Sequence, residues 1–346
     1  MKKILFLIPF FMLQCCLFGQ NIKRLGLEGS YGFIIPHSRE LKPLSQTNPL
    51  GINLHYQNLN SSLKNWKNCN CFHYMGLQIS YHNFGNPEVL GSATSLTGTF
   101  EPIIWQKNKW TFSLLSGLGL SYLNRIYDEV SNPENVFFSS HLSFLIYLTP
   151  KIEYSLTQDW GLNASISYNH ISNGGQSQPN KGINYPMGSL GLVRYFQRKI
   201  FPIYEKDKIS RNWMYYFESG FSTREGKDGR EPNISVVFGT IKPLSSINGI
   251  GGGLELNKDF SLEVNENRIE ALIPAPYIAH HFIFGKIDFS QRMAFYTHKP
   301  MGYNDYVLYQ RYVLGYKLLN HLTLGIGLKA HGHIAEHMDL RIGWKF

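Results

Sequence analysis

The chain has 346 residues, is 14% aromatic and only 16% charged, and carries a formal net charge of +9. That length admits two soluble domains or one large barrel, and no basic cluster is tight enough to read as a nucleic-acid surface, so nucleic acid is set aside as a partner. No segment past the N-terminus has the long uncharged apolar run of a membrane helix, whereas 32 glycines, a slightly negative mean hydropathy and the aromatic share suit a transmembrane β-barrel. The positive charge is compatible with an anionic surface such as lipopolysaccharide phosphates, and equally with a generally basic exported protein.

In chain order, Lys2 and Lys3 precede an apolar run from Ile4 to Leu13 and small or weakly polar residues up to Gly19. This is the pattern of a cleaved secretory signal, expected over residues 1–19, and it is too short to span a bilayer. Cys15 and Cys16 would suit a lipoprotein, but Leu13-Gln14 is a poor match to the small residues that modification prefers. Strands are then expected near Leu25 to Ile35, Gly51 to Gln57, Phe72 to His82, Ser92 to Trp105, Trp110 to Leu123, His141 to Ser155, Trp160 to Ser172 and Met187 to Gln197. Cys69 and Cys71 fall in a polar loop before the third of these. An oxidising compartment permits their bridging as a local feature, and without a second cysteine pair a structural zinc site is not expected.

The most charged connection, Tyr204 to Asn212, divides the chain into halves. It reads as a linker between two small barrels or as one long connection within a single large one. The second is preferred, since two closed barrels would each need their own insertion signal. Further strands are expected near Trp213 to Ser222, Asn233 to Thr240, Gly249 to Leu256, Tyr277 to Phe284, Ile287 to Thr297, Tyr306 to Leu318, Leu322 to Ala330 and Ala335 to Phe346. Helical periodicity is almost absent. The fold class is therefore all-β, an antiparallel transmembrane barrel of about fourteen to sixteen strands, with an eight-stranded barrel plus a C-terminal β region as the alternative. Gly249 to Gly253 is no phosphate cradle, because no helix follows it. His331, His333 and His337, with Glu336 and Asp339, share spacing that could hold a metal, but ring-shaped side chains at a barrel rim explain them as well, so no metal and no cofactor are expected.

Trp160 to Asn184 carries the chemistry. Trp160, Leu162, Ala164, Ile166 and Tyr168 occupy one parity and Gly161, Asn163, Ser165, Ser167 and Asn169 the other, so one face is apolar and one small and polar. In a membrane barrel the apolar face meets lipid. His170 and Ser172 continue the apolar parity, about 7 Å apart along the backbone, where an imidazole can reach a hydroxyl as general base to nucleophile. Polar residues on a lipid-facing parity are expensive, which favours a function for the pair over a polar strand end.

His170-Ile171-Ser172-Asn173-Gly174-Gly175, followed by Pro179-Asn180-Lys181-Gly182, resembles the signature of the outer-membrane lipid A 3-O-deacylases, the PagL-like family whose relatives are often labelled acyloxyacyl hydrolases. The resemblance covers roughly residues 20 to 200. It implies a serine esterase site on the outer wall of an outer-membrane barrel, with Ser172 as nucleophile, His170 as base, and Asn173 and the Gly175 amide as oxyanion donors. The family's histidine-orienting glutamate falls at Asn184, whose amide oxygen can still fix the imidazole tautomer but stabilises imidazolium less than a carboxylate. A carboxylate from elsewhere, such as Glu101 or Asp128, is the alternative orienting group. The chain also continues past Gln197, where the family's archetypal barrel would stop. Implied partners are lipid A in the outer leaflet, the outer membrane and, as an option, a second copy of the chain. The competing function is a non-catalytic barrel: a channel, a structural protein or a glycolipid-binding surface.

Overall fold

The computed structural model describes residues 20–197, 201–205, 212–226, 229–262, 272–300, 303–332 and 334–346. The expected signal segment, with Cys15 and Cys16, and His333 lie outside them. Eight strands form the first half: β1 (Asn21–Gly32), β2 (Leu50–Asn60), β3 (His73–Asn83), β4 (Ser92–Lys107), β5 (Trp110–Leu123), β6 (Leu142–Ser155), β7 (Trp160–Ser172) and β8 (Ile183–Tyr195). Eight more form the second: β9 (Met214–Gly226), β10 (Gly229–Pro243), β11 (Asn248–Asp259), β12 (Leu272–Phe284), β13 (Ile287–Phe295), β14 (Leu308–Lys317), β15 (Leu322–His331) and β16 (Ile334–Lys345). The strand positions match those expected from alternation. The short helical turn at Leu63–Trp66, N-capped by the Ser62 side chain, was not foreseen.

Closure differs from the preferred expectation. β8 returns to β1, with Arg24 opposite Tyr195 and Gly32 opposite Met187, and β16 returns to β9, with Leu340 opposite Phe221. The protein is therefore two closed eight-stranded barrels, not one ring of fourteen to sixteen strands. Side-chain alternation is the same in either case, so periodicity counts strands without saying where a sheet closes. What separates the two is the pairing of β8 with β1 and of β16 with β9. An eight-stranded barrel is just wide enough to be filled by its own side chains, and each lumen pairs its charges internally.

In the first lumen Arg24 binds Glu101 and, at 3.4 Å, Glu153, and Lys151 meets Glu28 at 2.6 Å. In the second, Arg292 meets Glu218 at 2.9 Å, Arg311 meets Glu255 at 2.7 Å and Asp339 at 2.6 Å, and Arg341 binds Glu218 and Asp339. Removing one partner would strand a desolvated charge at a cost of about 3–5 kcal/mol.

The outer walls are apolar. β1 alternates exposed and buried along its whole length, and the outward residues include Leu25, Leu27 and Tyr31. On β7 the outward parity is Trp160, Leu162, Ile166 and Tyr168, the last two 67% and 50% exposed. Antiparallel order puts the connections 33–49, 84–91, 124–141 and 173–182 at one rim, and 61–72 with the tight turns 108–109 and 156–159 at the other, the short-turn rim. All six tryptophans (Trp66, Trp105, Trp110, Trp160, Trp213 and Trp344) sit at or next to the short-turn rim, as amphipathic rings do at a membrane interface. Under the long loops, Ile34, Leu41, Phe84, Phe137, Phe138 and Tyr185 belong to one buried cluster that closes the lumen and fixes the loops.

Cys69 and Cys71 are bridged, with Cα atoms 5.1 Å apart, and the His73 ring lies against the Cys69 sulfur at the same rim. The connection through Phe201 and Tyr204 packs there too, Phe201 on Phe72 and Tyr204 on Trp66.

Candidate active site

The β7–β8 register places His170 opposite Asn184 and Ile171 opposite Ile183. Cross-strand neighbours on one face are close enough for direct contact, so the two isoleucines turn into the closed core and the polar pair turns outward. His170 Nδ1 lies 2.7 Å from Asn184 Oδ1, and His170 Nε2 lies 3.2 Å from Ser172 Oγ. Because an amide oxygen only accepts, the imidazole proton belongs on Nδ1. Nε2 is then left with a lone pair facing the serine hydroxyl. The Asn184 amide is held in that sense from its other side, where Nδ2 is 3.4 Å from His37 Nδ1, and Ile35 bridges to Asn184 along the backbone. The hydrogen-bonded run is thus His37, Asn184, His170, Ser172.

Beyond Ser172, which is only 7% exposed, the hairpin turns through Gly174 and Gly175, both at positive φ of +68° and +80°. Asn173 organises this turn. Its Oδ1 accepts from the amides of Gly175 at 2.9 Å and Gln176 at 3.1 Å, and its Nδ2 donates to the Ser177 carbonyl at 2.9 Å and approaches the hydroxyls of Ser139 and Ser177. The Asn173 amide donates to Asn180 Oδ1 at 3.2 Å. The hairpin returns through Gly182, also at positive φ, where a Cβ would lie 3.0 Å from the His170 ring and 3.1 Å from the Ser172 Cβ. The 124–141 loop braces it, since the amides of Lys181 and Gly182 donate to the carbonyls of Val136 and Phe137. Lys181 also meets Glu40 at 2.8 Å; its hydrogen bond and charge hold that exposed carboxyl below its ordinary range.

The structure thus brings Ser172, His170 and Asn184 into one chain, with Asn173 and Gly175 in the adjoining turn. The alternative carboxylates lie elsewhere: Glu101 is in the first lumen with Arg24 and Ser113, and Asp128 bonds within its own loop to Ser131 and Val130. His331 and His337 point into the second lumen, His331 toward Tyr296 and Glu336 and His337 toward Glu336 and Asp339. Arg224 and Lys329 also contact Glu336 there. His37 and Asn180 were not assigned roles from sequence. Asn180 stands within the quoted motif, but His37 has no local signal, because only loop folding brings it to Asn184.

Comparison with known proteins places both halves. Residues 30–193 match the family model for lipid A 3-O-deacylase (PagL), and residues 211–346 match that for the acyloxyacyl hydrolase C-terminal domain. The gap between the two matches falls at the connection between the barrels. No curated protein matches. Among solved structures, that of the outer membrane enzyme PagL is 13% identical, covers 51% of this chain and 99% of its own, and has a TM-score of 0.36. The corresponding values for Neisserial surface protein A are 9%, 50%, 97% and 0.34, and for a mutant Rh. blastica porin 10%, 94%, 100% and 0.23. With one barrel in each of the two family models, the chain belongs to the lipid A 3-O-deacylase (PagL) and acyloxyacyl hydrolase family.

Proposed function

We propose that the protein is an outer-membrane serine esterase that removes an ester-linked acyl chain from lipid A, with Ser172 as nucleophile, His170 as general base and Asn184 as its orienting group. The observation that carries this is the unbroken run from Asn184 Oδ1 through His170 to Ser172 Oγ on the lipid-facing wall. As Ser172 Oγ attacks the ester carbonyl, its proton passes to His170 Nε2. The imidazolium then returns that proton to the leaving sugar oxygen, and water, activated by the same base, hydrolyses the acyl-serine.

The oxyanion is assigned to the amides of Asn173 and Gly175. Both now donate to neutral side-chain oxygens, which an anion, the stronger acceptor, would displace. Orientation supports the substrate. Outer-membrane barrels keep short turns on the periplasmic side and long loops outside, which puts the outer end of β7, and with it Ser172, in the outer leaflet. Exposed Ile146, Leu148, Ile166 and Tyr168 beside the pair offer an acyl chain the same apolar contact they offer lipid.

Purified protein incubated with lipid A is expected to release one fatty acid, read by mass spectrometry as loss of one acyl or hydroxyacyl group, with and without EDTA alike, because a Ser/His site makes its nucleophile without a metal. Intact lipid A would reject the proposal. Activity lost to EDTA and restored by calcium or zinc would replace the mechanism with a metal-dependent one.

Asn184 provides a finer test. Asn184→Ala is expected to lower turnover about tenfold or more, and Asn184→Glu to keep or raise it by giving imidazolium a charged partner. Wild-type turnover in the alanine variant would remove Asn184 from the mechanism.

A further inference from the structure

The two barrels meet at both rims. At the short-turn rim Phe100 of β4 packs on Phe284 of β12, ring centroids 5.0 Å apart, and a Cβ on Gly285 would lie 2.6 Å from the Asn68 Cβ. At the long-loop rim the second barrel touches the hairpin that follows the nucleophile. A Cβ on Gly174 would lie 2.5 Å from the Met338 Sδ, and one on Gly175 2.5 Å from the Glu336 carbonyl oxygen. Arg230, at the start of β10, donates to the Gln176 carbonyl at 3.2 Å and to Gln176 Oε1 at 3.1 Å. Its other bonds, to Thr223 Oγ1 at 2.9 Å and the Thr223 carbonyl at 2.8 Å, tie the same guanidinium to the second barrel's own hairpin.

We infer that the second barrel is a positioning partner of the ester site, with Arg230 and Met338 as positioning residues that seat the Asn173–Gly175 turn beside Ser172. The inference rests on the esterase reading above. A turn with two adjacent glycines at positive φ is conformationally permissive on its own, yet oxyanion donors work only when held in place before charge develops, and a displacement of about 1 Å can cost about a hundredfold in rate. A guanidinium fork suits two acceptors on one residue, and an unbranched thioether fills an irregular gap against a bare backbone. The close approach also accounts for glycine at both 174 and 175, since a Cβ at either would strike the second barrel. Arg230 bonds to Gln176 and Met338 abuts Gly174, so their effect on Ser172 passes through the turn.

The test uses the full chain in detergent micelles, with hydrogen exchange of the 173–182 peptide and deacylation kinetics measured side by side. Arg230→Ala is expected to speed exchange in that peptide severalfold and lower kcat about tenfold with KM nearly unchanged, because only the transition state loses stabilisation. Arg230→Lys should restore part of kcat, and Met338→Ala should act in the same direction as Arg230→Ala. The Arg230→Ala and Gln176→Ala effects should be less than additive, as for groups in one contact. Unchanged exchange at 173–182 in both Arg230→Ala and Met338→Ala would overturn the inference, and so would faster exchange with wild-type kcat. Wild-type protein that leaves lipid A intact would refute the esterase reading and the catalytic half of the inference, while exchange would still decide whether the second barrel fastens the hairpin.

Discussion

Ser172→Ala is expected to abolish lipid A deacylation, with a loss on the order of 10⁴- to 10⁶-fold, or about 5–8 kcal/mol of transition-state stabilisation. His170 Nε2 lies 3.2 Å from this hydroxyl, and alanine removes the group that the base would activate. Folding should survive. Ser172 ends β7, its backbone pairing with Phe144 does not involve the side chain, and both lumens keep their ion pairs. The variant should therefore stay heat-modifiable on gels and lose labelling by a fluorophosphonate. Undiminished deacylation in that variant would remove Ser172 from the mechanism.

His170→Ala should cost nearly as much. Without the base the serine proton has no acceptor at 3.2 Å, and the hydroxyl attacks as the protonated, weak nucleophile. Groups that act as one unit do not add, so the Ser172→Ala/His170→Ala double variant should be no slower than either single one. A double variant slower by the product of the two losses would show that the residues act independently, contrary to the hydrogen-bonded run.

Much of this was legible in residue order because β-strands announce themselves locally. The alternation of Trp160, Leu162, Ile166 and Tyr168 with small polar residues marks both the strand and its lipid face. It also carries His170 and Ser172 onto that face without any tertiary information. The pairing of His170 with Asn184 was within reach through the family resemblance, which puts the orienting residue at 184, and a hairpin of this length allows it. What stayed hidden depends on distant parts of the chain. Closure of β8 on β1 pairs Arg24 with Tyr195 and Gly32 with Met187, and the lumen pairs Arg24 with Glu153 and Lys151 with Glu28; no window of sequence contains both partners. The same holds for His37 at Asn184 and for Arg230 at Gln176. The Gly175 amide is occupied by Asn173 Oδ1 in an Asx turn that forms only in the folded hairpin.

Sixteen spanning strands joined in one ring would enclose an aqueous channel, whereas the same number split into two rings of eight leaves no conduit. Along the axis of the first ring a hydrated ion would meet Arg24 between Glu101 and Glu153. Along the second it would meet Arg292, Arg341 and Arg311 interleaved with Glu218, Asp339 and Glu255. To pass, it would have to shed its water and break a pair that has already lost its own. Neither ring is therefore expected to conduct ions, and conductance steps in a planar bilayer would contradict this.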